Sequence, residues 1–377
     1  MGTNKLRLLF CSNGTNTYDP FFLDRLSKDF EAYLATFLQP NQIFEVNAKV
    51  IQLRDFGGWL RNRKINNLRI AVSTLWRALQ IRRCVDDLKP DVIIGNWVTT
   101  FGLYIMLSRR TPFILFAYGE DIVVDPYRSP FHRAVTTEVI KSARIVLIDS
   151  EVQRRALLSL GCSRDKILCF PWFDENDLRK VDSDPSLRHK LGWERNTVVV
   201  CVRNHEPEYA VDTLIRAIPR VLRKAPNVRF LIFGSGTQTS RLIQLAHNLE
   251  VWPYLHFAGQ VPRHRLLRQM KDCDIYVSAS ITDGTSSSLL EAMSLGVPVV
   301  VTSIHANREW ITHAVNGLMF PIGDAEKLAR AIVDLDRDPA RRERLQRAAR
   351  LVIRRRVDWK SSYKELMNTI RMSAEAR

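Results

Sequence analysis

Residues 278–301 read SASITDGTSSSLLEAMSLGVPVVV, and this stretch decides the fold. The run Asp274 to Ala279, which leads into it, is β-branched and apolar enough for a buried parallel strand, and Asp283-Gly284 supplies the turn that ends it. Thr285 or Ser286 then caps a helix whose apolar positions Leu289, Ala292 and Met293 follow helical spacing. Gly296 stops that helix and Val297 to Val301 restarts a strand. Such a strand-helix-strand unit aims the free N–H groups of the helix start at the crevice above the sheet, where open α/β folds bind phosphate. Gly284, Thr285, Ser286 and Ser287 are therefore candidate contacts for a diphosphate.

The alternation extends outward from this unit. In the amino half, strands are expected at Leu6 to Cys11, Phe44 to Leu53, Val92 to Gly95, Phe113 to Tyr118, Ile145 to Asp149 and Ile167 to Phe170, with helical patterns between. After a polar linker around Asp174 to Pro185 the pattern restarts at Thr197 to Val202, Val228 to Phe233, Leu255 to Ala258, Asp274 to Ala279 and Val297 to Thr302. The expected fold class is α/β, with two doubly wound Rossmann-like domains over 1–175 and 186–356 facing a central cleft. With 377 residues and 46% hydrophobic content, the chain is long enough for two cores.

No apolar run approaches the roughly 18 to 20 residues that span a bilayer, and Leu6 to Cys11 is too short for a signal segment, so a cytoplasmic protein is expected. Cys11, Cys84, Cys162, Cys169, Cys201 and Cys273 form no close pair of the metal-ligand kind and read as reduced core residues. Asn13-Gly14-Thr15 reads as a turn.

Asp283 and Glu291 bracket the helix start with seven residues between them. Taken alone, the stretch also fits an ordinary packing unit, with Asp283 in the turn and Glu291 on a solvated helix face. The acidic spacing, the run LLEAMSLGVPVV, Asn307-Arg308-Glu309 and Asn316-Gly317-Leu318 together resemble the retaining glycosyltransferases of the two-Rossmann-domain (GT-B) type, in particular family 4. The first acid is Asp where the family usually has Glu. The resemblance implies a nucleotide-sugar donor, Asp283 near the reacting sugar, Glu291 accepting from the ribose hydroxyls, and Gln260 and Val261 beside the base. It also implies that the last helix, over 358–377, returns to the amino-terminal domain.

Arg203 ends the strand Val198 to Arg203, and its planar guanidinium matches phosphate oxygens in pairs. By resemblance it pairs with the donor's diphosphate, while the lysine expected about six residues later is Tyr209, which leaves Arg263 to be considered as a second cation. Gly234, in Gly234-Ser235-Gly236, follows a strand and lets backbone approach a ligand, or is turn material.

The amino-terminal domain would present the acceptor on loops after its strands: Ser12 to Thr17 with Gly14, Asn96 to Thr100 with Asn96 and Trp97, and Tyr118-Gly119-Glu120-Asp121. The last resembles the family's aromatic-or-His, Gly, x, Asp element near the reacting sugar. It suggests that Tyr118 positions the substrate and that Asp121 orients a hydroxyl; the other reading of Asp121 is a loop or capping carboxylate. Asp182-Ser183-Asp184 resembles a metal-binding triplet of another transferase class, but it precedes Pro185 and a helix start, so capping explains it. No metal and no cofactor are expected, and the departing diphosphate is left to the helix end and Arg203.

The formal charge is +16, and Arg54 to Arg83 holds eight basic residues against the single acid Asp55. Trp59 and Trp76 occur there, and Leu68, Val72, Leu75 and Leu79 form one apolar stripe. The stripe either lies on an anionic membrane surface or packs on the domain's own sheet. No DNA- or RNA-binding motif is present, so no specific nucleic-acid partner is expected. Three function classes stand: transfer of a sugar to a hydroxyl acceptor, lipid-linked or part of a cell-envelope glycan; a non-catalytic protein on the same scaffold that binds membrane or nucleic acid through basic surface; and an epimerase or phosphorylase on the same pair of domains.

Overall fold

Parallel strands buried on both faces need helices on both sides, and each half of the chain meets that need by itself. The computed structural model describes residues 5–14, 18–39, 43, 45–54, 67–110, 112–170 and 173–375. Two units result, Met1–Trp172 together with Lys360–Arg377, and Phe173–Trp359.

The first unit holds β1 (Arg7–Cys11), β2 (Glu31–Thr36), β3 (Lys49–Gln52), β4 (Val92–Asn96), β5 (Ile114–Phe116), β6 (Ile145–Ile148) and β7 (Ile167–Cys169). Their order is β3-β2-β1-β4-β5-β6-β7, all parallel. The order reverses between β1 and β4. The strand expected over Phe44 to Leu53 contracts to Lys49–Gln52, with Phe44 outside the described residues, and β2 was not expected at all. Helix Trp359–Glu375 belongs to this unit from Lys360 onward; it buries Leu366, Met367 and Ile370, and Tyr363 Oη donates to Arg25 O at 3.3 Å.

Helix Asn67–Leu88 corrects one of the two readings of the apolar stripe. Ala78, Ile81, Cys84 and Val85 pack into the core, whereas Val72, Leu75 and Leu79 are 46%, 55% and 48% exposed. The two sets lie on different faces of one helix, and the sheet receives only the first. Leu68's side chain, Trp59 and the other residues of 55–66 lie outside the described residues, as do Thr15 and Thr17.

The second unit holds β8 (Thr197–Val202), β9 (Val228–Phe233), β10 (Leu255–Gly259), β11 (Ile275–Ser278), β12 (Val299–Thr302) and β13 (Leu318–Phe320), ordered β10-β9-β8-β11-β12-β13. Helix Ser287–Leu295 follows β11 and ends at Gly296, whose φ of 79° is the left-handed conformation that glycine tolerates. The polar linker expected around Asp174 to Pro185 is partly structured: Glu175–Arg179 is helical, and Leu178 is buried with Phe173 in this unit's core. Asp184 accepts from the Ser186 N–H at 3.1 Å, a turn at the start of helix Ser186–Lys190. Cys169 is exposed, against the expectation that every cysteine is in the core.

Candidate functional site

In the second unit the strand order reverses between β8 and β11, which pair directly. Arg203 follows β8 and crosses this point. Its Nε donates to Ser278 Oγ at 3.0 Å, and its Nη2 donates to Asp283 Oδ2 at 2.5 Å and to Ser286 Oγ. Tyr209 lies over the same guanidinium, 5.2 Å from ring centroid to Cζ. The residue that stands in place of the expected lysine therefore adds no charge, but packs a π-face on the arginine that remains.

Burial raises the Asp283 carboxyl above its ordinary value, with Arg203 and the Gly284 N–H pulling the other way. Burial also works against the Arg203 charge; Asp283 together with the neighbouring tyrosines more than offsets it, so the guanidinium stays charged.

Ser286 caps helix Ser287–Leu295 by accepting from the Leu289 N–H at 3.2 Å, so one hydroxyl serves both the helix start and Arg203. Beneath it, Ser288 Oγ bonds with Tyr276 Oη at 2.8 Å and donates to Val202 O at 3.2 Å. Ser278 and Ser280 share a bond of 3.1 Å. These hydroxyls join the ends of β8 and β11 to the helix start. Gly284 and Thr285 are buried in the turn and Ser287 is half-buried.

Glu291 is not on a solvated face: it is 2% exposed, and residues 288–295 of its helix are buried throughout. Its Oε1 accepts from Arg263 Nε at 2.9 Å, and Arg263 Nη2 lies 2.7 Å from the same oxygen as an ion pair. Arg263 opens helix Arg263–Lys271, just after Gln260, which is exposed, and Val261, which is half-buried. The structure thus brings Arg203 to Asp283 and Arg263 to Glu291 as two ion pairs within one unit.

Gly234 has a structural reason to be glycine. Its φ is 110°, and a Cβ there would lie 2.0 Å from Arg203 O. The loop it opens is held by its neighbours: Ser235 O accepts from the His205 N–H at 3.0 Å, and Glu206 accepts from the Thr237 N–H at 2.8 Å.

In the first unit, residues at the ends of β1, β4 and β5 also meet at the point of reversal. Asp19, fully buried, accepts from Ser12 Oγ at 2.5 Å and from Asn96 Nδ2 at 2.8 Å. Burial pushes its carboxyl up to about 7, against the pull of Ser12, Asn96 and the Gly14 N–H. Asn96 Oδ1 is buried with no hydrogen-bond partner among the described residues. Gly14, at φ 71°, sits on Ile43, which a Cβ would approach to 2.9 Å.

Asp121 is used for structure: its carboxylate accepts from the N–H groups of Val98 at 2.9 Å, Tyr118 at 3.1 Å and Gly119 at 2.9 Å. Burial raises it to about 6, with those three bonds opposing. It ties the loop after β5 to the loop after β4, which favours the loop-carboxylate reading. Trp97 has a φ of 68° and stacks on Tyr118 with centroids 5.9 Å apart.

Sequence reading missed the roles of Ser278, Tyr276, Ser288 and Asp19, and named Ser12 only as the start of a candidate loop. Serines near turns look like turn material, and Asp19 meets Asn96 only because the fold brings β1 beside β4.

Comparison with known proteins follows the same division. The family model "Glycosyl transferase 4-like" matches residues 8–150, and "Glycosyl transferases group 1" matches 183–352. An uncharacterized glycosyltransferase of Methanocaldococcus jannaschii is 24% identical over 301 residues, 76% of each chain. The phosphatidyl-myo-inositol mannosyltransferase of Mycobacterium leprae is 31% identical over 190 residues, so the match spans about half the length of that relative. Among solved structures, Anabaena HepE in complex with UDP-glucose superposes with a TM-score of 0.76 at 19% identity, covering 97% of this chain and 100% of that one. Sucrose-phosphate synthase of Thermosynechococcus elongatus gives 0.76 at 16%, covering 99% and 100%.

Proposed function

We propose, from the premise that this chain is a GT-B glycosyltransferase of the family 4-like type, that it moves a hexosyl unit from a nucleoside-diphosphate sugar to a hydroxyl acceptor with retention of configuration. The observation that carries the reading is Arg203 anchored on Ser278, Asp283 and Ser286 at the start of helix Ser287–Leu295. A diphosphate placed there meets the N–H groups of the helix start and a guanidinium already oriented. Both are fixed before the bond to the sugar breaks, which is what lowers the energy of an oxocarbenium-like transition state as the leaving group gains charge.

Glu291 takes the ribose hydroxyls, because an ionised carboxylate is a pure acceptor. Asp283 faces the sugar, and Gln260 and Val261 flank the base. In this reading, residues 186–356 hold the donor, and residues 1–175 with 358–377 present the acceptor through Gly14, Asn96, Trp97 and Tyr118. Asp121 acts by holding Tyr118 in place. The helix start and Arg203 do the work that a metal does in other transferases, and the donor is a substrate, not a cofactor.

Release of nucleoside diphosphate from UDP-glucose, GDP-mannose and related donors tests this, with Arg203→Ala and Glu291→Ala beside the wild type. Turnover reduced at least a hundredfold in both variants is the expected result. No turnover, and no thermal protection of the wild type by any nucleotide-sugar, sinks the reading in favour of a non-catalytic scaffold.

A second proposal concerns where the acceptor is found. Val72, Leu75 and Leu79 recur along one exposed face of helix Asn67–Leu88, with Arg82 and Arg83 exposed further on. A face of this kind suits the cytoplasmic surface of an anionic membrane, and hence a lipid-linked acceptor. No helix among the described residues is long and apolar enough to cross a membrane. Sedimentation with phosphatidylglycerol vesicles should fall several-fold on Leu75→Ser/Leu79→Ser with the affinity for nucleotide-sugar unchanged. Equal sedimentation of variant and wild type refutes the membrane face.

A further inference from the structure

The guanidinium of Arg203 already serves one anion. Asp283 takes its Nη2 at 2.5 Å in a setting where both side chains are nearly enclosed, 9% and 13% exposed. The neighbours that fix the arginine are neutral: the hydroxyls of Ser278 and Ser286, and the ring of Tyr209. Tyr276 on β11 and Cys201 on β8 are the remaining titratable groups that act on Arg203, and the Gly284 N–H completes the set around Asp283. A diphosphate at the start of helix Ser287–Leu295 therefore brings a second anion to a cation that is not duplicated by a lysine at position 209. Two anions sharing one guanidinium out of water repel, and a carboxyl in that position becomes easier to protonate.

We propose that the donor is bound with Asp283 in its neutral, protonated form, so that each nucleotide-sugar bound takes up a proton at this carboxyl. The proposal rests on the donor site assigned above and deepens it. One oxygen of Asp283 then carries a hydrogen and donates, to a phosphate oxygen or a sugar hydroxyl, instead of only accepting. Burial raises this carboxyl even without ligand, in the same direction as the second anion. Linkage fixes the sign: if binding takes up a proton, lowering the pH tightens binding, by at most about tenfold per pH unit for one proton.

Titration calorimetry tests this with UDP-glucose and GDP-mannose, whose diphosphate linkage carries no proton to exchange near neutral pH. Runs at one pH in buffers of different ionisation enthalpy give the number of protons taken up. The wild type should show uptake and a Kd that falls as the pH falls; Asp283→Asn should still bind, with uptake abolished. Zero uptake by the wild type overturns the proposal, whatever the variant does. So does uptake that survives in Asp283→Asn and vanishes in His205→Gln, because His205, which follows two residues after Arg203, is the nearest imidazole in the chain and burial lowers its ordinary value. Should Asp283→Asn not fold, the His205→Gln comparison decides: uptake kept in that variant supports the proposal, and uptake lost in it overturns the proposal. Failure of both donors to bind overturns the donor site itself, which is a different result from binding without protons.

Discussion

Asp19 is a carboxyl held by neutral partners, Ser12, Asn96 and the Gly14 N–H, in a fully buried place. The folded protein keeps its proton up to about pH 7, whereas the unfolded chain releases it near pH 4. Between those values the folded state binds more protons, so stability falls as the pH rises through that window. Asp19→Asn removes the titration and should gain on the wild type above pH 7 relative to pH 4, by something on the order of 1 to 4 kcal/mol. Unfolding midpoints at pH 4.5 and 8 check this; a difference between variant and wild type that does not change with pH refutes it. Asp283, Ser286 and Glu291 were legible in sequence because they sit within one turn and one helix, and Arg203 because it stands at a strand's carboxyl end. Arg263 with Glu291, and Asp19 with Asn96, are pairs made by strand crossovers, and no local pattern announces them.

Elements were legible where burial is uniform. β8, β9, β11 and β12 are mostly valine, isoleucine, leucine and aromatics and mostly buried, and their sequences say so. β2 reads EAYLAT, with two alanines and a glutamate, and follows helix Tyr18–Asp29 with no glycine or proline between, so it looked like more helix. It is a strand because Ala32, Leu34 and Ala35 fit between β1 and β3. Helix Ser287–Leu295 shows the reverse case, in which both ends are marked by single residues. At its carboxyl end, a Cβ on Gly296 would fall 2.2 Å from the guanidinium of Arg350, which donates to Leu295 O at 2.7 Å. Gly296→Ala should cost about 1 to 2 kcal/mol from the left-handed backbone alone, read in urea as a lower midpoint at unchanged m. A midpoint within error of the wild type refutes the cap's importance.

At the scale of the molecule, repetition of strands and helices gave two parallel sheets, and the family models divide the chain in the same way. What repetition left open was which face of helix Asn67–Leu88 the sheet receives, because the helix carries apolar residues on more than one face. The last helix is a matter of the whole chain as well. Ending the protein after Trp359 removes Leu366, Met367 and Ile370 from the first unit's interior, about 1.5 to 3 kcal/mol each. That sum is comparable to the stability of an ordinary domain. Hydrogen exchange should then show the first unit's amides unprotected and those of Phe173–Trp359 largely as before; protection retained in both units refutes it.

The same return of the chain has a consequence for synthesis. All of Phe173–Trp359 leaves the ribosome before Lys360 does, so the second unit has its full sequence while the first, begun earlier, still lacks a wall. Roughly 200 residues of translation separate the end of the first stretch from Ile370, about 10 to 40 s at ordinary rates. Throughout that interval the apolar seat of the final helix is open to other nascent chains, and the half made first is the half finished last.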